Sequence, residues 1–293
     1  RLICAFARTG PYRDGQYVFE TERYTVWVTT SDDNGDSWTP PRQIKTDPFP
    51  YASPYGKIVS LPDGTLLMNV YGWWQPDREG GELPHNKKGY FAAVSRSEDK
   101  GATWSQPIPI VGYIPGRREN TNYSEIGLVV LPGGNVLAAM RGGPWDGVDQ
   151  CISSDGGRTW GPIESIIRGL DRQPADVILL KSGRLLLTFG KRGKPPLGVE
   201  AVLSRKEAGQ WDELAVATPA TRPATPIRTG GQWDWQTHVS LEWNAASEDC
   251  GYPSSVELDD GTIVTLYYGV GERGQPDDKS ESGHGPMAYA KCV

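Results

Sequence analysis

Three eight-residue segments constrain this chain more than any other feature: SDDNGDSW (Ser31 to Trp38), SEDKGATW (Ser97 to Trp104) and SSDGGRTW (Ser153 to Trp160). All three read S-x-D-x-G-x-S/T-W. A worn fourth copy, SRKEAGQW from Ser204 to Trp211, keeps the Ser-to-Trp spacing but loses the Asp and Thr and shifts its Gly. Repetition of this kind means that each copy is one supersecondary unit that buries its apolar side only against its neighbours. Asp, Ser and Gly are turn formers and a closing Trp suits packing between sheets. Asp33, Asp99 and Asp155 therefore read as turn residues, although together they resemble an acidic metal-binding set.

A second repeat interleaves with the first. KIVSLPDGTLLMNVYG, LVVLPGGNVLAAMRG, VILLKSGRLLLTFGKRG and SVELDDGTIVTLYYG each hold two β-rich runs around a turn ending in Gly64, Gly134, Gly183 or Gly261. Hairpin plus box gives four strands per unit, at a period of roughly 50 to 70 residues. The expected fold is all-β: a β-propeller of four-stranded antiparallel blades in one domain over residues 1–293. Units are expected at about 1–45, 51–110, 120–167, 172–218 and 225–293, with a degenerate sixth open inside 219–249. The run RLICAFAR has no initiator Met or signal peptide before it, and the first unit begins at its second strand, so its innermost strand is expected upstream of residue 1 or supplied otherwise.

Composition agrees. The 36 Gly and 24 Pro among 293 residues would break helices repeatedly. A net charge of −6 argues against nucleic acid or acidic membranes as partners, and no apolar run approaches the ~20 residues of a membrane span. Cys4, Cys151, Cys250 and Cys292 lack zinc-site spacing; buried thiols, or a Cys4–Cys292 bridge between the chain ends, are the two readings. No phosphate-binding glycine loop, metal set or other cofactor motif is present.

Aligning the hairpins on their turn glycines compares equivalent positions. Nine residues before the Gly stand Tyr55, Glu125, Pro174 and Tyr252; seven after it stand Tyr71, Arg141, Gly190 and Tyr268. Paired residue numbers in an antiparallel hairpin have a constant sum, so Glu125 and Arg141 are expected side by side at the open end. That pair could be a plain cross-strand salt bridge contributing ~0.2 to 1 kcal/mol. In a propeller, however, equivalent inner-strand ends converge on one mouth. Tyr55, Glu125, Arg141 and Tyr252 are therefore expected to face one cavity.

The boxes resemble the Asp-box, or bacterial neuraminidase repeat, of the sialidase superfamily, whose boxes are structural and lie away from the catalytic end. NYSEIGLVVLPGGNVLAAMRG resembles that family's segment with the catalytic Glu and one arginine of the carboxylate-binding triad. CGYPSSVELDDGTIVTLYYG resembles the segment opening with the nucleophilic Tyr. RLICAFARTGPYRDG resembles the first-blade strand and loop holding the acid/base Asp. The resemblance implies a retaining exo-sialidase-like hydrolase with Tyr252 as nucleophile, Glu125 as its base, Asp14 as acid/base, and Arg141 on the substrate carboxylate, with Arg8 and Arg13 beside Asp14. It further implies a glycan partner and a secreted, periplasmic or cell-surface location; oligomeric state stays open.

These residue types suit that chemistry. A phenol is a weak nucleophile near pH 7 and needs a neighbouring carboxylate to take its proton. Being neutral, it avoids repulsion from an acidic sugar. Arginine forks hold a carboxylate bidentately. The pattern departs from the family at the clamp: its first arginine is expected upstream of residue 1, and Pro196 stands near the third, with Arg192 and Lys194 close by. Either one of these substitutes or the clamp is incomplete. An incomplete clamp favours a glycosidase or lyase for another uronate-containing glycan, or a non-catalytic carbohydrate-binding propeller. Trp73 and Trp74, at the same end as Tyr71, would stack on sugar rings or fill the core. His85, His238 and His284 lack metal-ligand spacing, though lyases of this shape use His and Tyr together.

Overall fold

The computed structural model describes residues 1–8, 12–13, 16–17, 24–47, 49, 51–73, 90–111, 123–142, 147–168, 174–193, 195–205, 227–228, 232–243, 245, 248, 250–269 and 289–292. Every regular element among them is a β-strand. The first group is β1 (Leu2–Arg8), β2 (Tyr12–Arg13), β3 (Gln16–Tyr17), β4 (Thr25–Ser31) and β5 (Arg42–Gln43). It forms a sheet β1-β4-β5 and a two-stranded ribbon β2-β3. The second is β6 (Tyr51–Pro54), β7 (Val59–Ser60), β8 (Leu66–Trp73), β9 (Tyr90–Ser97) and β10 (Ile108–Pro109), in the order β10-β9-β8-β6 with β7 also on β8.

β11 (Tyr123–Val130), β12 (Val136–Gly142), β13 (Gly147–Ser153) and β14 (Glu164–Arg168) make the third sheet in sequence order. The fourth starts with β15 (Ala175–Leu179), β16 (Leu185–Lys191) and β17 (Gly198–Ser204). Two strands then return to earlier sheets: β18 (Ile227–Arg228) pairs with β14, and β19 (Trp233–Trp243) with β17. The last sheet is β20 (Cys250–Glu257), β21 (Ile263–Gly269) and β22 (Tyr289–Cys292). Residues 225–243, grouped by the repeats with the final unit, thus complete the third and fourth sheets. The 219–249 stretch forms no sheet of its own among the described residues.

The four hairpin turns are built identically. The N–H of Leu61, Leu131, Leu180 or Leu258 donates to the carbonyl of the residue four further on, and the turn glycine's N–H donates back to that leucine. Each turn glycine has φ between 80° and 92°, a region that a side chain disfavours. Register follows the turn arithmetic without interruption in β15–β16, from Leu179↔Leu185 to Ala175↔Phe189. In the second sheet it breaks: β7 pairs Val59 with Leu67, but β6 pairs Ser53 with Tyr71. Tyr71 therefore faces Ser53, not Tyr55 as the constant sum required. The cause is buried Asn69, whose Oδ1 accepts from the Tyr55 N–H (2.9 Å) while its Nδ2 donates to the Ile126 carbonyl (2.6 Å).

The chain divides into two compact units, Arg1–Ile126 with Ser153–Trp160, and Gly127–Ile152 with Gly161–Val293. The core of the first unit joins Val26, Val28, Phe49, Met68 and Val70. That of the second is larger and centres on Leu137, Ile166, Leu187, Phe189 and Trp233. Both are dominated by branched and aromatic side chains on alternate strand positions, as sheets packed face to face require. Cys4, Cys151 and Cys250 are free thiols, which excludes the Cys4–Cys292 bridge.

All three intact boxes lie in the first unit and repeat one geometry. The Ser31, Ser97 and Ser153 hydroxyls donate to Asp33, Asp99 and Asp155 (2.7, 2.8 and 2.8 Å) and accept from the N–H of Gly35, Gly101 and Gly157, each at 2.8 Å. The second Asp oxygen accepts from the hydroxyl of Ser37, Thr103 or Thr159 at 2.5 Å. Bonds from Ser37 and Thr103 hold Asp33 and Asp99 at about 2; at Asp155 burial pushes up, yet the Thr159 bonds still bring it to about 2. The closing tryptophans differ: Trp104 packs on the core, whereas Trp38 is 44% exposed rather than buried between sheets. Trp211 lies outside the described residues.

Candidate functional site

Strands that leave hairpin turns carry their last residues to the open end of each hairpin. In the second unit this delivers Arg141 at the end of β12, Arg192 just past β16, and Tyr268 near the end of β21. Tyr252 arrives from the opposite direction, near the start of β20. All four are half-buried.

The four side chains form one cluster. Arg141 Nη1 donates to the Tyr252 hydroxyl at 3.0 Å. The Arg192 guanidinium stands 5.2 Å from the Tyr252 ring centroid and that of Arg141 stands 6.0 Å away. Arg192 Nη2 donates to the Tyr268 hydroxyl (3.1 Å), and its Nε donates to the Cys250 carbonyl (2.8 Å). The Tyr252 and Tyr268 rings lie 5.6 Å apart, tilted by 40°. Two cations thus stand against one phenol, an arrangement that attracts anionic groups.

Tyr252 itself is strained. Its φ is 50°, in the left-handed region where a bulky side chain costs about 1–3 kcal/mol. Hairpin pairing holds from Glu257↔Ile263 to Ser254↔Leu266, then slips so that Gly251, not Tyr252, faces Tyr268. Gly251 has φ 110°, and a Cβ there would sit 3.1 Å from the Gly190 Cα. Gly190 occupies the repeat position that holds Tyr71, Arg141 and Tyr268 elsewhere. Its missing side chain leaves room for the β20 bulge.

Sequence reasoning missed the support under this bulge. Asp176, 5% exposed on β15, accepts from the Ser255 N–H at 2.7 Å, three residues past Tyr252. The Ser255 hydroxyl lies 3.1 Å from Thr188 Oγ1 and 3.0 Å from Thr265 Oγ1. The available signal was a carboxylate inside the apolar run ADVIL, where a buried charge must find donors.

Glu125 is buried on β11, in the first unit. Arg8 stacks over Trp27 at 4.2 Å, Tyr71 lies 5.8 Å from Tyr90, and Tyr55 is held through its N–H on Asn69. Arg13 and Trp73 are on β2 and β8, their side chains outside the described set. Asp14, Trp74, Lys194, His85 and His284 lie outside the described residues altogether. His238 Nε2 lies 2.8 Å from buried Glu200, whose other oxygen is 3.3 Å from Lys191 Nζ. Among the described residues, no helix is long and apolar enough to cross a membrane.

Comparison with solved structures gives the fold. A protein of unknown function from Dyadobacter fermentans DSM 18053 aligns with TM-score 0.53 and 22% identity, over 98% of this chain and 90% of that one. A mutant of the NanB sialidase from Streptococcus pneumoniae aligns with TM-score 0.59 and 16% identity, over 89% of this chain and 34% of that chain. The intramolecular trans-sialidase from Ruminococcus gnavus, in complex with oseltamivir carboxylate, gives 0.59 and 16%, covering 99% and 58%. The chain thus spans about a third of NanB and under two thirds of the trans-sialidase. No curated protein matches in sequence. The fold is an all-β propeller of the sialidase type, and a family model for the BNR repeat-like domain matches residues 5–265. By that match the chain belongs to the BNR repeat-like family.

Proposed function

We propose that the chain is a sialidase-type retaining glycoside hydrolase that releases a terminal sialic acid or a related acidic sugar from glycans. The observation that carries this reading is the Tyr252 hydroxyl, held in a strained backbone and contacted by Arg141 at 3.0 Å. A strained, cation-surrounded phenol is a costly arrangement for packing alone, and strain of this kind collects at functional sites.

In this reading Arg141 draws the sugar carboxylate toward the cluster, and Tyr252 attacks the anomeric carbon as Glu125 takes its proton. Asp14 protonates the departing glycosidic oxygen, then activates the water that releases the sugar with net retention. Arg8, Arg13, Tyr55, Tyr71, Trp73, Trp74 and Tyr268 are the proposed substrate contacts beyond this centre. The Arg141–Tyr252 pair would also serve a uronate lyase, with the cation neutralising the carboxylate and the phenol moving a proton.

The test is turnover of aryl sialosides and aryl uronides, with the first-formed anomer read by proton NMR. Released aglycone from wild type but not from Tyr252→Phe is expected. Equal turnover by the two proteins would remove the nucleophile assignment. Unsaturated products from a uronate polymer, without aryl glycoside cleavage, would move the site to lyase chemistry.

A further inference from the structure

Arg192 stands where the repeat gives no reason for an arginine, two residues beyond Gly190 and outside the regular pairing of β16. Its three contacts converge on the bulge at Tyr252. Nε donates to the carbonyl of Cys250, immediately before the two left-handed residues Gly251 and Tyr252. Nη2 donates to the hydroxyl of Tyr268, whose backbone faces Gly251 across the β20–β21 pair. The guanidinium plane lies over the Tyr252 ring.

A tyrosine in the left-handed region stays there only when its surroundings over-determine it. Arg192 ties down the carbonyl on one side of the bulge and the partner strand on the other. The Tyr252 ring stands 5.2 Å from this guanidinium and 6.0 Å from that of Arg141. Nε and one Nη2 hydrogen are engaged within the protein, so the side-on Nε–Nη2 fork is already committed to the bulge. A lysine has no fork with which to bridge a carbonyl and a phenol while covering a ring.

We propose that Arg192 is a positioning residue for Tyr252, fixing the phenol through the Cys250 carbonyl and Tyr268, and not a carboxylate clamp. This rests on the reading of Tyr252 as nucleophile. The test compares wild type, Arg192→Gln, Arg192→Lys and Tyr268→Phe on an aryl sialoside and aryl uronide panel. It adds the NMR spectrum of protein labelled with carbon-13 at the tyrosine Cζ, in which the Tyr252 resonance is identified by its loss in Tyr252→Phe.

The expected result is a fall in kcat of roughly 10- to 100-fold for Arg192→Gln with KM changed less than about threefold, because misplacing a reacting group costs rate, not binding. Lysine does not rescue it, Tyr268→Phe gives a smaller fall of the same type, and the Tyr252 resonance moves in each variant. A rise in KM with kcat retained overturns the proposal in favour of a clamp, and rescue by lysine overturns the fork argument. If Arg192→Gln does not fold, Tyr268→Phe decides: unchanged kcat and an unmoved resonance overturn the proposal. If wild type cleaves nothing in the panel, the hydrolase reading fails, while the resonance still decides whether Arg192 positions Tyr252.

Discussion

The box turns of the first unit and the tyrosine-arginine cluster of the second are built by opposite means. In a box, the side-chain bonds of the repeated Ser and Asp join residues two to four apart, and the same geometry appears three times. In the cluster, Arg141 reaches Tyr252 across 111 residues of chain and Arg192 reaches Tyr268 across 76. Local bonds make a self-contained scaffold, and bonds between distant segments hold a strained residue in place. Stability should therefore answer to the boxes and turnover to the cluster.

The sharpest test of that division is Tyr252→Phe, expected to cut turnover at least ~10³-fold with little change in the thermal midpoint. A large loss of stability instead would merge the two regions into one structural role. Gly251→Ala should break the division deliberately. Its φ of 110° and the 3.1 Å approach to the Gly190 Cα penalise a Cβ, so stability should fall by about 1–3 kcal/mol and turnover should fall with it, as read by chemical denaturation and initial rates.

Among the boxes, Trp104→Ala should cost about 2–3 kcal/mol, because the ring packs on the first unit's core, while initial rates stay unchanged. Acid tests the same region. The box carboxylates sit at about 2, below their ordinary 3.8, so their contribution is complete above pH ~4 and lost as pH falls toward 2. Thermal midpoints should drop over that window, and the drop should shrink in Asp33→Asn and Asp99→Asn. The smallest effect is expected from Trp38→Ala, within about 1 kcal/mol, since that ring is largely in solvent.

The same division decided what could be read in the sequence. Boxes and hairpin turns were legible because their bonds join near neighbours, so one motif encodes one shape. Register was legible wherever the ladder runs unbroken from the turn, as at Pro174 and Gly190, where the Gly190 N–H meets the Pro174 carbonyl at 3.3 Å. It failed at Tyr55 and Tyr252, where a side chain or another strand intrudes on the ladder: Asn69 in one case, the approach of Gly251 to Gly190 in the other. The return of β19 to β17 was hidden for a similar reason, since pairing between segments this distant leaves no periodic trace. Arg192 appeared in the sequence as a neighbour of a missing arginine; its attachment to Tyr268 belongs to the fold.

Gly190 carries a consequence of its own. A repeat protein sets equivalent positions around its sheets, and the position seven residues past the hairpin glycine holds an aromatic ring, a cation, nothing at all, and a second ring in four successive copies. Copying supplied four equivalent places, and divergence gave them unlike tasks. The vacant copy is as specialised as the others, because the backbone before Tyr252 approaches through the space it leaves. Restoring uniformity to the repeat would crowd out the residue on which the proposed chemistry depends.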